Sequence, residues 1–280
     1  MRHSIRVVVG VFCLMIGVVA LAKEPPNGFD APAVAGTRGK VETLTYRSKT
    51  LGFERPVVVY LPPGYKAETK YPVLYLLHGS GDDEPGWQEK GAAVNILDNL
   101  YADEKAHVTP MIVAMPYGYG KKKDTPMPKD AQERGQMSRA FDADLVKDLV
   151  PFIDGHYATM ADAKHRAVAG LSMGGSQSLR IGLGNLDLFS YLGCFSSMAR
   201  EPFPEGIAKA VGDPAGTNGK LKLFYLATGD KDPNFERIKD FHELLEQKGV
   251  RHQWSIKSGK HEWKVWRENL YEFAPLLFHD

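Results

Sequence analysis

From His165 to Gly175 the chain reads His-Arg-Ala-Val-Ala-Gly-Leu-Ser-Met-Gly-Gly, an apolar stretch that passes into a helical pattern with no connecting loop. A strand that turns straight into a helix must reverse direction within a few residues. Gly170 and Gly174, two positions either side of Ser172, remove the side chains that would collide in such a corner. This segment restricts the chain to architectures in which strands feed directly into helices, the α/β class.

The remaining pattern agrees with that class. Strands are expected at 41–48, 56–61, 72–78, 111–115, 165–171, 191–195, 221–227 and 252–257, and helices at 92–104, 141–157, 174–184, 235–248 and 263–278. Phe141, Leu145, Leu149, Phe152 and Ile153 fall on one helical face, which should pack on a sheet. Several strands, such as Val73-Leu74-Tyr75-Leu76-Leu77, are apolar throughout, as strands covered on both faces are. The early strands lack helices between them and the later ones alternate with helices. The order predicts an antiparallel start followed by a mostly parallel central sheet with helices on both faces.

Ser172 at the strand-to-helix corner is the arrangement of a nucleophile elbow. A Gly-x-Ser-x-Gly pattern alone would turn up by chance in roughly one chain in ten of this length, given ordinary glycine usage. Its companions matter more. A serine hydroxyl needs a base, a group that orients the base, and donors for the oxyanion. In an α/β-hydrolase fold the acid and the histidine follow the serine, each after a later strand. Asp230 and Asp232 follow the strand expected at 221–227, and His261 follows the one at 252–257. His261 is the expected base. Of the two acids, Asp232 is preferred because the longer excursion from Gly229 leaves chain to turn back over the site, with Asp230 as a turn residue. The oxyanion donors are expected to be the backbone N–H groups of Met173 and of Ser80, the latter between Gly79 and Gly81 after the strand at 72–78.

Composition sets the context. The 280 residues are 43% hydrophobic and 25% charged with a formal net charge of +1, an ordinary globular balance that gives no electrostatic reason to expect nucleic acid. Arg2 and Arg6, the apolar run Val7–Leu21 and the small residues Ala20-Leu21-Ala22 predict a secretory signal peptide over 1–22, cleaved after Ala22. The exported protein would be secreted or periplasmic, without stable membrane association. Residues 23–40, rich in proline and glycine, read as an extended leader, and 41–280 as one catalytic domain. Cleavage would leave Cys194 as the sole cysteine, within an apolar run that favours a buried thiol. No metal-binding motif, dinucleotide fingerprint or phosphate loop occurs, so no metal or cofactor is expected.

Taken together, Tyr75-Leu76-Leu77-His78-Gly79-Ser80-Gly81-Asp82-Asp83, Gly170-Leu171-Ser172-Met173-Gly174-Gly175, Gly229-x-x-Asp232 and His261-Glu262-Trp263 resemble the esterase family that includes carbohydrate esterase family 1 feruloyl and acetyl xylan esterases. Siderophore esterases, S-formylglutathione hydrolase and mycolyltransferases are its relatives. The likeness runs over roughly residues 42–278. It implies an α/β-hydrolase fold, supports Asp232 as the acid, and departs from the pattern at Glu262, where many relatives carry aspartate. It further implies an exported serine esterase that removes feruloyl or acetyl groups from an acylated polysaccharide such as xylan. Trp87, Tyr117, Tyr119, Trp263 and Trp266 are candidates for stacking on an acyl group or sugar, with Trp87, Tyr117 and Trp263 foremost. The polar segment Gly118–Arg139 is expected to be a long specificity loop. Two rival readings are a siderophore trilactone esterase, for which Lys121–Lys123 would supply positive charge, and an inactive binding protein on a hydrolase scaffold.

Overall fold

The computed structural model of the chain describes residues 24–34 and 37–279, so the expected signal peptide lies outside the described residues. Eight strands form one sheet among the described residues: β1 (Lys40–Arg47), β2 (Glu54–Leu61), β3 (Val73–Leu77), β4 (Ile112–Pro116), β5 (Arg166–Leu171), β6 (Tyr191–Phe195), β7 (Leu223–Gly229) and β8 (Gln253–Lys257). Their order is β1-β2-β4-β3-β5-β6-β7-β8. The β1–β2 and β2–β4 pairs are antiparallel and all the others parallel, which is the expected division between an early hairpin and a wound sheet.

The helices are α1 (Gly86–Glu89), α2 (Ala93–Ala102), α3 (Ala131–Asp144), α4 (Val150–His156), α5 (Met173–Gly184), α6 (Glu205–Gly212), α7 (Pro214–Lys220), α8 (Phe235–Gln247) and α9 (Trp263–Phe273). Successive strand side chains point to opposite faces, and each face has its own core. Val73, Tyr75 and Leu77 of β3 join Leu145, Leu179 and Phe241 on one side. Leu74 and Leu76 join Ile96, Trp87 and Phe273 on the other. That two-sided burial is why these strands read as uninterrupted apolar runs.

Two departures from the expected elements have physical causes. The helix expected from Phe141 begins at Ala131, where Asp130 accepts a capping bond from the Glu133 amide at 2.9 Å. Its first turns are polar and contain Gly135, so no apolar periodicity marks them, although Asp130-x-x-Glu133 is a capping signature. The helix then passes through a π-helical stretch, Leu145–Leu149, into α4. Phe141, Leu145, Leu149 and Ile153 are all in the core. A strict four-residue repeat drifts by about 40° per step on a 3.6-residue helix, and the wider π turn takes up that drift. It also lies where Pro151 cannot donate to the helix ladder. Second, α6 and α7 fill the stretch after β6 where no helix is expected, α7 being opened by Asp213 capping the Gly216 amide at 3.0 Å and by Pro214.

The described part of the proline-rich leader lies against the domain. The Asn99 side chain donates to the carbonyls of Phe29 and Ala31 at 2.9 and 2.8 Å, Arg267 pairs with Asp30 at 2.9 Å, and Phe29 packs edge-on against Tyr271. This arm joins α2 to α9. No helix among the described residues is long and apolar enough to cross a membrane.

Candidate active site

The carboxyl ends of β3, β5, β7 and β8 bring the expected residues together. Ser172 sits between β5 and α5 with φ 52° and ψ −113°, a backbone state that costs a non-glycine residue of order 1–3 kcal/mol. It is held there by its neighbours. Its N–H donates to the Phe195 carbonyl at 2.8 Å, and a Cβ on Gly170 would lie 2.6 Å from the Gly174 carbonyl carbon. A Cβ on Gly174 would lie 2.5 Å from the Leu77 oxygen. The two glycines of the motif are therefore demanded by close approach, and the corner they permit lifts the Ser172 hydroxyl out of the sheet.

His261, in the loop after β8, places Nε2 2.9 Å from Ser172 Oγ and Nδ1 2.8 Å from Asp232 Oδ2. The Asp232 side chain is fully buried. Burial, the largest single influence, pushes its carboxyl up, but the hydrogen bonds from His261 and the Asn234 amide hold it below the ordinary aspartate value. An ionised Asp232 accepts a hydrogen bond from Nδ1–H and leaves Nε2 as the acceptor facing the serine. The His261 ring is braced by Trp266, edge to face at 5.0 Å. Asp230 faces elsewhere: its carboxylate accepts the Gly259 amide at 2.8 Å, tying the loop of Asp232 to the loop of His261.

Met173 is the first residue of α5, where helical amides lack internal partners. Ser80 lies in the turn after β3, and its amide donates to no protein group among the described residues. That turn runs against Ser172: a Cβ on Gly79 would be 3.6 Å from Ser172 Cβ. A set of bonds invisible in the sequence holds the turn. The buried His78 accepts the Gly118 N–H at Nε2 and bonds the Gly79 carbonyl through Nδ1, both at 2.8 Å, and burial lowers its pKa, keeping it neutral. Tyr119 Oη accepts the Gly81 amide at 2.8 Å, and Gln177 of α5 donates to the Gly118 carbonyl at 2.7 Å. Arg55 anchors this 117–119 strap, donating to the carbonyls of Tyr119, at 2.7 Å, and Tyr117 while pairing with the buried Asp144 at 3.0 Å.

The substrate-facing expectations need correction. Trp87 is 1% exposed and donates its indole N–H to the Leu77 carbonyl at 2.9 Å, so it supports β3 from below. Tyr117 is likewise buried, its hydroxyl accepting from Lys121 at 2.9 Å. Trp263 packs edge-on between Trp87 and Trp266. None of the three lines the cavity beside Ser172. That cavity, about 420 Å³, is bounded by Met173, Ser176 and Arg180 of α5, by Asn234 and His261, and by the 196–207 segment after β6. The segment 118–139 contributes nothing to its lining, and its second part is α3 rather than loop. Within it, Lys123 pairs with Asp83 and Glu84, and Lys121 bonds Tyr117 and the carbonyls of the loop itself. Neither lysine is offered to an acyl group at Ser172. Cys194 is buried, as expected, and burial raises its thiol pKa.

A family model described as "Putative esterase" matches residues 48–277. The chain is 35% identical over 246 residues to an endo-1,4-beta-xylanase/feruloyl esterase of Xylanibacter ruminicola, covering 86% of this chain and 31% of that protein. It is 24% identical over 292 residues to endo-1,4-beta-xylanase Y of Acetivibrio thermocellus, covering 92% of this chain and 25% of that protein. The chain thus spans less than a third of the length of either relative. Among solved structures, a CE1 ferulic acid esterase from Anaeromyces mucronatus superposes with a TM-score of 0.76 at 26% identity, covering 91% of this chain and 96% of the other.

Proposed function

The chain belongs to the esterase family, and on that premise we propose that it is an exported serine hydrolase that releases feruloyl groups from plant cell-wall xylan through an acyl-enzyme. The observation that carries this reading is the hydrogen-bonded series Ser172–His261–Asp232 opening onto a cavity of about 420 Å³. Such a volume is of the size that accommodates small-molecule ligands and far exceeds what an acetyl group occupies. The xylanase/feruloyl esterase and ferulic acid esterase relatives support the same acyl group.

In the proposed reaction Ser172 Oγ attacks the ester carbonyl carbon as its proton passes to His261 Nε2. The carbonyl oxygen becomes an oxyanion that accepts hydrogen bonds from the amides of Met173 and Ser80. Asp232 stabilises the imidazolium. Collapse breaks the bond to the alcohol, which takes the proton from His261 and leaves the acyl group on Ser172. A water molecule, deprotonated by His261, then attacks the acyl carbon; Ser172 is released with its proton and the carboxylic acid departs. Export would be directed by the signal peptide read from Arg2, Arg6 and the apolar run Val7–Leu21.

The test is release of ferulate from methyl ferulate and feruloylated xylan by the mature protein and by Ser172→Ala, with acetylated xylan in parallel. The substitution is expected to lower kcat by at least about four orders of magnitude. Equal, measurable rates for the two proteins would sink the nucleophile assignment, whereas no release from any of these esters by either protein would leave the inactive binding protein as the better reading. Ser172-dependent release of acetate without ferulate would sink the acyl assignment alone.

A further inference from the structure

Arg180 lies on the same face of α5 as Met173 and Ser176, and all three line the cavity. Eight residues of helix separate it from Ser172, about 12 Å of axial rise, and helical side chains lean back toward the N-terminus, which brings the guanidinium part of the way to the serine. It therefore stands at the end of the cavity remote from the scissile bond. Its orientation is fixed from behind. Nε donates to Asp142 Oδ2 at 2.6 Å, and Nη2 donates to Asp142 Oδ1 at 3.1 Å and to Ser138 Oγ at 2.6 Å. Nη1 donates to no protein group among the described residues. A guanidinium locked by a two-point bond on one edge, with its last amino group uncommitted beside a cavity, is a preorganised donor. Because Asp142 balances its charge, the complementary partner is a neutral oxygen rather than a carboxylate.

We propose that Arg180 is a specificity residue, binding through Nη1 the oxygen substituents at the far end of an aromatic acyl group carried on Ser172. The proposal rests on the reading of the cavity as an acyl pocket and extends it. An acetyl group ends one carbon beyond the carbonyl and cannot reach Arg180, whereas an arylpropenoyl group bearing ring hydroxyl or methoxy oxygens extends along the helix toward it. Ser176, whose hydroxyl is paired with Ser197 at 2.6 Å, lies between the two ends; Arg200 also lines the cavity, but it is exposed and held by no hydrogen bond or ion pair among the described residues, whereas Arg180 is fixed in place.

The experiment compares kcat/KM for methyl ferulate with that for methyl cinnamate, which has the same carbon framework without ring oxygens. Removing Arg180 alone would leave Asp142 unpaired and part-buried, so the first variant is Arg180→Met with Asp142→Leu. A second, Arg180→Gln with Asp142→Asn, keeps a hydrogen-bonded neutral pair should the first fail to fold. The ferulate-to-cinnamate ratio is expected to fall about ten- to one-hundredfold in a folded variant, the effect of losing a hydrogen bond from a charged donor. A wild-type protein that cleaves both esters, with a ratio unmoved by the substitutions, overturns the role of Arg180 alone. Failure of the wild type to cleave either ester in a Ser172-dependent way overturns the acyl-pocket reading and this proposal with it.

Discussion

Asp230 and Asp232 leave the same strand end but meet different partners, one a glycine amide in the neighbouring loop and the other an imidazole. An asparagine at position 232 could still bond His261, but with a neutral group that favours the wrong tautomer and does not stabilise the imidazolium. Asp232→Asn is therefore expected to lower kcat on methyl ferulate by roughly 10⁴-fold. Asp230→Asn keeps an acceptor for the Gly259 amide and should cost far less, within about tenfold. Steady-state rates of the two variants check this, and the reverse order would mean that the acid is Asp230. The contrast shows where residue-level reading from sequence succeeds. Ser172 was legible because the close approaches of Gly170 and Gly174 are local in sequence. The choice between two acids in one loop was open because facing depends on a histidine 29 residues further along the chain. Trp87 misled because an aromatic near a catalytic edge is as well suited to filling the space beneath β3 as to meeting a substrate.

At the level of elements, the turn that holds Ser80 is only as rigid as the strap beside it. Arg55 on β2, Asp144 at the end of α3 and the carbonyls of Tyr117 and Tyr119 form one buried unit, and Gly118 passes its constraint to His78. Losing Arg55 should let the Ser80 amide drift, weakening the contact proposed for it with the oxyanion, which belongs to the transition state more than to the bound ester. Arg55→Met is expected to lower kcat and kcat/KM together by about 10–100-fold, with KM nearly constant. The single change also leaves Asp144 buried without its partner, at about 3–5 kcal/mol. Arg55→Met with Asp144→Leu separates the effects: the melting temperature should recover and kcat should not. Recovery of both would assign the network to stability alone. Nothing in the sequence pairs Arg55 with Asp144, because burial of a charge pair is decided by segments that meet only in the folded sheet. The same limit hid the cavity wall at 196–207, whose prolines and serines carry no periodicity, and drew attention to the polar run after Gly118, the last part of which is helix.

Across the whole molecule, strand positions were legible because two-sided burial leaves apolar runs bounded by turn residues, whereas α6 and α7, short and cap-driven, left weaker marks. The sheet order places β5 near its middle, with four strands on one side and three on the other, and makes β8 an outer strand. Ser172 thus belongs to the interior of the sheet, while His261 hangs from its margin. Every residue of β5 is buried, whereas β8 alternates and leaves Ile256 44% exposed. Outer strands open first in native-state fluctuations. Warming should therefore detach His261 from Ser172 while most of the sheet is intact, so that the proposed ester hydrolysis is expected to fail some degrees below the loss of far-ultraviolet circular dichroism and to return on cooling. Coincident midpoints would show β8 to be as tightly held as the centre. Ser172 and His261 thus hang from a fully buried strand and an outer one, and an earlier midpoint for hydrolysis would place the limit on working temperature at that outer strand.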